Sequence, residues 1–410
     1  MEIKALGAVG EVGRSAYLIK SREGNLLLDY GIKLQGQELP QYPRNPYELV
    51  NTIDLCLVSH GHLDHIGYLP WLYRKHRFIW YTTPPTLDIA KVLWKDSIKL
   101  AKLKGIEDHF HYKAMEKAEK NWYPALYGSR LQYGDYDFMF HNASHILGSS
   151  SISVNIEGQR VVYSGDVGYR SLLEKELEHP GKADKLLIET TYADKEHPPI
   201  EKEVDKLMEL IYDSLDNGGH ALLPAFAIGR TQELLHAIYK RDKSLPIYVD
   251  GMGREITRIY LKYGVYLRDF DVFEDAVRGS TLVESPRQRK EALSKPSVII
   301  TTAGMMDGGP VLYYIDSLLP NSKIILNGYQ AEGSNGRMLE DKGKIMIDGK
   351  AVKIRHEVHH LDFSAHIGRS QILDYIKKAD PEELYLVHSE KEKAEKFSQE
   401  LREEGYNVVM

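Results

Sequence analysis

The sequence predicts an α/β protein with a second α/β unit inserted into the first. Three observations carry this expectation. Short apolar, β-branched runs recur along the chain, separated by stretches with helical spacing. Four of these runs end in a polar, reactive residue: 55–58 leads to Ser59 and His60, 161–163 to Ser164, Gly165 and Asp166, 186–188 to Glu189, and 384–387 to His388. The pair Pro198-Pro199 then interrupts regular structure, and strand-like and helix-like segments alternate afresh beyond it. Polar residues gathered at the C-terminal ends of strands mark the position where open α/β sheets place their sites.

The elements follow in order. Runs 55–58, 161–163, 186–188 and 384–387 read as strands. Thr83-Pro84-Pro85-Thr86 reads as a helix start with Thr86 as N-cap. Ile89, Leu93, Leu100 and Leu103 give the following helix a buried stripe, and Gly105 ends it. Residues 106–128, rich in charge and aromatics, are expected to be helical too. Ile152, Val154 and Ile156 alternate with polar residues, and Glu157-Gly158 offers a turn into 161–163, which makes a hairpin. After the Pro-Pro break come 221–223 leading to a helix from Gly229, then 247–249, 298–302 and 323–327. This is the expected second unit, and around 352–364 the chain returns to the first.

Composition narrows the class. The chain has 410 residues, 42% hydrophobic and 27% charged, enough for two or three domains of ordinary globular type. Cys56 is the single cysteine, so no internal disulfide is available and nothing points to an oxidising compartment. The N-terminus lacks the basic start and apolar core of a signal peptide. No apolar stretch is long enough to span a membrane. These features predict a cytoplasmic protein with no membrane partner. A net charge of −6 excludes a globally basic nucleic-acid coat but leaves local phosphate binding open, because bound dications invert a local field.

The chemistry concentrates in His60-Gly61-His62-Leu63-Asp64-His65. Three imidazoles and one carboxylate in six residues suit zinc, with manganese as the alternative where carboxylates dominate. Closed structural zinc sites usually lean on cysteine, and here the one cysteine sits inside an apolar run. The loop also holds more ligands than one four-coordinate ion needs, which points to two adjacent metals and a hydrolytic arrangement. His60, His62 and His145 form one candidate set, and Asp64, His65 and His388 the other. Asp166 is placed to bridge them, since a carboxylate has two oxygens. Water held between two such ions loses a proton readily and becomes a nucleophile.

The order of motifs resembles a known family. His60 to His65 followed by Ile66-Gly67 is similar to the signature loop of the metallo-β-lactamase fold. Ala143-Ser144-His145-Ile146-Leu147-Gly148-Ser149 and Ser164-Gly165-Asp166 resemble its later ligand motifs. The inserted segment narrows the resemblance to the β-CASP nucleases. Ile188-Glu189-Thr190-Thr191-Tyr192 resembles their motif A, Phe363-Ser364-Ala365-His366 motif B, and Leu386-Val387-His388-Ser389 motif C. Residues 224–233 and 328–334 resemble the family's insert. The opening residues 6–15 are closer to the archaeal cleavage-and-polyadenylation-specificity-factor-like ribonucleases than to RNase J. Larger relatives in that branch carry N-terminal KH domains, and the chain is expected to be a short form without them.

The resemblance implies a metallo-β-lactamase αββα sandwich with an inserted α/β β-CASP domain. The first part of the sandwich is expected over 1–197, the insert over 198–361 and the second part over 362–410. It implies two zinc ions per chain, manganese being possible, held by His60, His62, Asp64, His65, His145, Asp166 and His388. Asp64 counts among the catalytic residues as well. His366 would protonate the leaving 3′ oxygen or stabilise its charge, a task suited to an imidazole. Glu189 would orient His366 or the metal shell, and Asp29 would support a metal-binding histidine. Arg230 at Gly229-Arg230-Thr231, and Ser334 and Arg337 in the second Gly-rich loop, are candidate phosphate contacts, although such loops are usually simply turns. A motif C histidine accompanies family members that cut RNA. The implied function is therefore endonucleolytic RNA hydrolysis by a metal-bridging hydroxide, with a 5′-to-3′ exoribonuclease or a non-catalytic RNA-binding subunit as rivals. RNA is the expected partner, together with a homodimer or an RNA-processing complex.

Overall fold

The computed structural model describes residues 1–34, 39–44, 46–49 and 51–409. Two sheets stack face to face and a third belongs to the insert. The first sheet has six strands in chain order, from Glu2–Gly7 to Trp122–Pro124. Its first two pairings are antiparallel, and Gly24–Leu28, Leu55–Leu57, Ile79–Thr82 and Trp122–Pro124 then run parallel. In the second sheet, Arg130–Tyr133, Tyr136–Asn142, Ser150–Ile156 and Gln159–Tyr163 form an antiparallel meander. It continues in parallel through Lys185–Glu189, Glu383–Val387 and Val408–Val409.

One apolar core fills the space between these sheets, with Leu26, Leu28, Leu55 and Leu57 against Phe138, Ile152, Val161 and Leu187. Helices cover both outer faces. Pro84–Lys104 and Tyr112–Lys120 close the first sheet over Trp80, Trp94 and Phe110. Arg369–Ala379 and Lys391–Glu403 close the second over Leu186, Ile376 and Leu401. The result is the αββα sandwich. Leu55–Leu57 is buried at every position because both its faces are covered. In the expected hairpin, Gln159 pairs with Ile156, and Glu157 and Gly158 both take left-handed backbone, φ 50° and 74°. A two-residue turn of that kind matches the twist of the flanking strands.

The third sheet has six strands, all in parallel pairs, with Ala221–Pro224, Ile247–Asp250, Val298–Thr301 and Lys323–Leu326 at its centre. Helices lie on both faces, as parallel sheets require. Glu357–His360 is still an edge strand of this sheet. Among the described residues, no helix is long and apolar enough to cross a membrane.

Three expectations need correction. The helix begins at Pro84, with Thr83 and not Thr86 at its N-cap, because proline is favoured in a first turn that has no use for its missing N–H. The two threonine hydroxyls instead converge on the Gly148 carbonyl, at 2.8 and 3.1 Å, and tie the helix start to the loop that carries His145. The stripe stops at Leu93: Leu100 is 47% and Leu103 82% exposed. This helix serves two cores. Leu87, Ala90 and Trp94 face the first sheet, while Ile89 and Leu93 face the insert, whose packing does not reach the last turns. Finally, only Tyr112–Lys120 within 106–128 is helical, and Trp122–Pro124 joins the sheet edge.

Candidate metal centre

Parallel register brings the candidate residues to one rim. Tyr163 pairs with Leu187 and Glu189 with Val387, so the residues that follow these strands emerge side by side. Asp29 follows Gly24–Leu28 and His388 follows Glu383–Val387, both with left-handed backbone, φ 57° and 55°. Outside glycine that conformation costs about 1 kcal/mol. Backbone hydrogen bonds hold it: Asp29 N–H donates to Leu57 O at 3.1 Å, and His388 N–H to Ala8 O at 2.7 Å. Gly168 is needed where it stands, since a Cβ there would lie 2.0 Å from Ser144 O, beside His145.

His60, His62, His145 and Asp166 offer ligand atoms that lie within 4.8 Å of one another, and so do Asp64, His65 and His388. Asp166 touches both groups. Its Oδ2 is 3.6 Å from His60 Nε2 and 3.7 Å from His145 Nε2; its Oδ1 is 3.3 Å from His65 Nε2. A third overlapping group joins Asp166, His366 and His388.

The surroundings decide which ring nitrogen of each histidine is free. The Ala365 carbonyl can only accept, so His145 Nδ1, 3.2 Å away, carries the proton and Nε2 is bare. Asp29 Oδ2 accepts from His65 Nδ1 at 2.8 Å. Ser59 Oγ donates to Asp29 at 2.6 Å and therefore accepts from His60 Nδ1 at 3.0 Å. Thr191 Oγ1 donates to Glu189 Oε2 at 2.5 Å and accepts from His388 Nδ1 at 3.1 Å. All four histidines thus turn Nε2 inward, and that nitrogen is bare in His60 and His145, the two that burial keeps neutral. His62 Nδ1 stands 3.2 Å from both His60 Nε2 and His145 Nε2. A proton on His62 Nδ1 can serve only one of these two bare nitrogens well, and Asp166 Oδ1 is buried with no hydrogen-bond partner. A cation removes both difficulties, so the donor set fits bound metal.

Protonation agrees. Burial holds the imidazoles of His60 and His145 well below their usual range and lowers His62 to about 4. Neutral imidazole is the ligating form. Burial alone would raise the carboxyl groups of Asp64 and Asp166; nearby histidines, His65 for the first and His388 for the second, outweigh it and hold both ionised.

His366 lies at the edge of this group, its ring centroid 4.6 Å from that of His145. Its Nδ1 meets Glu189 Oε1 at 2.8 Å. Glu189 is fully buried and accepts also from Val167 N at 3.0 Å, one residue past Asp166. Asp29 is fully buried and accepts from Ser59 N, Ser59 Oγ and Tyr163 OH besides His65. Ser59, Tyr163 and Thr191 were not singled out from sequence. Ser59 directly precedes the His60 cluster and Thr191 lies within the motif A segment, but a hydroxyl there has no distinctive spacing.

The candidate phosphate contacts are engaged elsewhere. Arg230 is buried, donates to Glu233 Oε2 at 2.5 Å and lies over the Phe363 ring. Glu233 in turn accepts from Leu172 N at 3.1 Å, fastening the insert to the segment after Asp166. Ser334 caps the helix Asn335–Lys342 and donates to Ala331 O at 2.7 Å. Arg337 reaches Asp341 at 3.0 Å on the surface of the same helix. Their hydrogen bonds all run to residues of the insert.

This fold and this site define a metallo-hydrolase. Residues 9–196 match the metallo-beta-lactamase superfamily, 231–339 the Beta-Casp domain, and 351–410 the Zn-dependent metallo-hydrolase RNA specificity domain. A probable RNase MJ4 of Methanocaldococcus jannaschii is 35% identical, over 100% of this chain and 98% of that protein. RNase aCSPSF2 of Saccharolobus solfataricus is 33% identical over 99% and 83%. Transcription termination factor FttA of Thermococcus kodakarensis is 31% identical over 96% and 67%. The chain belongs to the β-CASP family of metallo-β-lactamase-fold nucleases. A solved structure, a protein of unknown function from Enterococcus faecalis, shares the fold with TM-score 0.62 at 13% identity, over 100% of this chain and 97% of that one.

Proposed function

We propose that the protein is a zinc-dependent endoribonuclease that hydrolyses RNA phosphodiesters to 5′-phosphate and 3′-hydroxyl ends. The observation that carries this reading is the pair of ligand groups sharing Asp166, with the Glu189-held His366 beside them. The match to an RNA specificity domain and the ribonuclease names of the relatives support RNA as the substrate class. His60, His62, His145 and Asp166 would hold one zinc ion; Asp64, His65, His388 and the other Asp166 oxygen would hold the second. When bound, such a pair supplies an activated water and neutralises charge on the phosphate.

The chain's own residues do the rest. Asp29, Ser59, Thr191 and the Ala365 carbonyl hold the histidine rings in one tautomer and direction. Glu189 accepts from His366 Nδ1 and keeps the ring charged, its pKa raised to about 9 despite burial. Charged His366 holds a proton at Nε2 for the departing 3′ oxygen.

The test is cleavage of RNA labelled at each end, in linear and circular forms, by zinc-loaded protein beside Asp64→Ala. Internal cuts in both forms, absent from the control, are expected. Cleavage of the linear form alone, to mononucleotides, would make the protein a 5′-to-3′ exonuclease. Bound metal without cleavage of either would make it a non-catalytic subunit. Full activity in a folded His366→Ala protein would remove His366 from the mechanism.

A further inference from the structure

Asp362 is neither a ligand nor part of the quoted motif, yet it gathers four segments. Arg170 Nη2 donates to its Oδ1 at 2.6 Å and to its carbonyl at 2.6 Å. Lys195 Nζ lies 2.7 Å and His197 Nδ1 3.0 Å from its Oδ2. Its own N–H donates to Glu203 Oε2 at 2.9 Å. Arg170 comes four residues after Asp166, and Lys195 and His197 from the segment leaving the sandwich. Glu203 belongs to the helix Ile200–Asp216, and Asp362 itself to the segment returning. Arg170 also binds Pro198 O, next to His197. Both connections between sandwich and insert are therefore joined at one carboxylate. An exposed ion pair would have little effect, but here the Asp362 side chain is 17%, Arg170 12% and His197 4% exposed.

The same carboxylate sets the chain toward His366. Ser364 N–H donates to Asp362 Oδ1 at 3.2 Å, and His366 N–H donates to Ser364 Oγ at 3.2 Å. These are two successive side-chain turns, each closing on the backbone two residues on. They run from Asp362 to the histidine whose ring faces Glu189. We propose that Asp362 is a positioning residue for His366, acting through Ser364. This rests on the reading of His366 as the group that serves the leaving oxygen. Near its reacting geometry, a displacement of about 1 Å lowers a rate by roughly a hundredfold, so a residue that fixes the histidine's backbone has a measurable part in the rate.

The experiment compares Asp362→Ala, Asp362→Asn and Ser364→Ala in the full zinc-loaded chain. It reads kcat and KM on RNA, bound metal by mass spectrometry, and thermal unfolding. In Asp362→Ala, kcat should fall about tenfold to hundredfold while KM and metal content stay those of the unsubstituted protein. Asp362→Asn keeps an oxygen for Ser364 N–H and should recover part of the rate. Ser364→Ala should lose rate in the same way. A folded Asp362→Ala protein with unchanged kcat overturns the assignment. So does a loss of kcat matched by loss of metal, which would place the effect at Asp166 through Arg170. If Asp362→Ala does not fold, Ser364→Ala decides by the same criteria. Failure of the underlying reading looks different: His366→Ala would then be fully active, or the unsubstituted protein would not cut RNA.

Discussion

Glu189 Oε1 lies 2.8 Å from His366 Nδ1, although 177 residues separate the two in sequence. One ends a strand of the second sheet; the other stands on the segment by which the chain returns from the insert. Because Glu189 also binds Val167 N, a single buried carboxylate fixes both the loop after Asp166 and the imidazole beside it. Glu189→Gln keeps an oxygen for Nδ1–H and removes the charge that favours protonated His366. We expect kcat to fall by about two orders of magnitude, with KM and bound zinc unchanged. Steady-state kinetics on RNA checks this, and an unaltered kcat would detach Glu189 from the chemistry.

Asp29 acts on the opposite side of the site. It accepts from His65 Nδ1, Ser59 and Tyr163, all in a buried pocket. Asp29→Ala leaves those donors without an acceptor at a cost of about 1–3 kcal/mol each. It also frees the His65 ring to rotate. Zinc affinity should drop roughly 10–100-fold, the usual effect of losing such a support. Competition against a chelating dye measures it, and an unchanged Kd in folded protein would contradict the role.

What the sequence made legible follows from the range of the interactions. Strand ends, the hairpin at Glu157-Gly158 and the His60 to His65 cluster are local patterns of residue type, readable over a few positions. Helix faces were less legible. Leu100 and Leu103 continue the spacing of Ile89 and Leu93, but whether a stripe is buried depends on how far the insert extends over it. Asp29 and Glu189 were legible through the motifs the chain resembles, but other supports of the site were not. Ser59, Tyr163, Thr191 and Asp362 are common residue types, and their partners lie up to 197 positions away. Arg230 shows the converse, a residue that the sequence offers as a phosphate contact but that Glu233 neutralises one helical turn later.

Metal should stabilise the fold as well as serve catalysis. Without a cation, at most one proton, on His62 Nδ1, is shared between the bare nitrogens of His60 and His145, and Asp166 Oδ1 stays buried without a partner. Binding to the folded state alone adds about 2.7 kcal/mol when free zinc exceeds Kd a hundredfold. Calorimetry across a zinc series should show Tm rising with zinc and falling with chelator. His145→Ala should weaken that dependence. A Tm indifferent to both additions would count against a preformed site.

The junction with the insert predicts a pH dependence of its own. Glu174 is 3% exposed, its Oε1 has no hydrogen-bond partner, and burial followed by the charge of Glu233 raises its pKa to about 8. The folded protein therefore binds this proton more tightly than the unfolded chain, whose carboxyl titrates near the ordinary glutamate value of 4.5. Its contribution is complete below that value, declines as pH rises through the interval, and is lost above about pH 8. Over that window the loss is of the order of 4 kcal/mol. Glu174→Gln holds the neutral form permanently, so its stability should vary less between pH 5 and 8 and exceed that of the parent at pH 8. Tyr260, which faces Glu174, also accepts from Leu147 N at 3.1 Å, two residues from His145. Denaturant unfolding of the two proteins at a series of pH values tests this, and parallel curves would show that Glu174 does not titrate in the folded state.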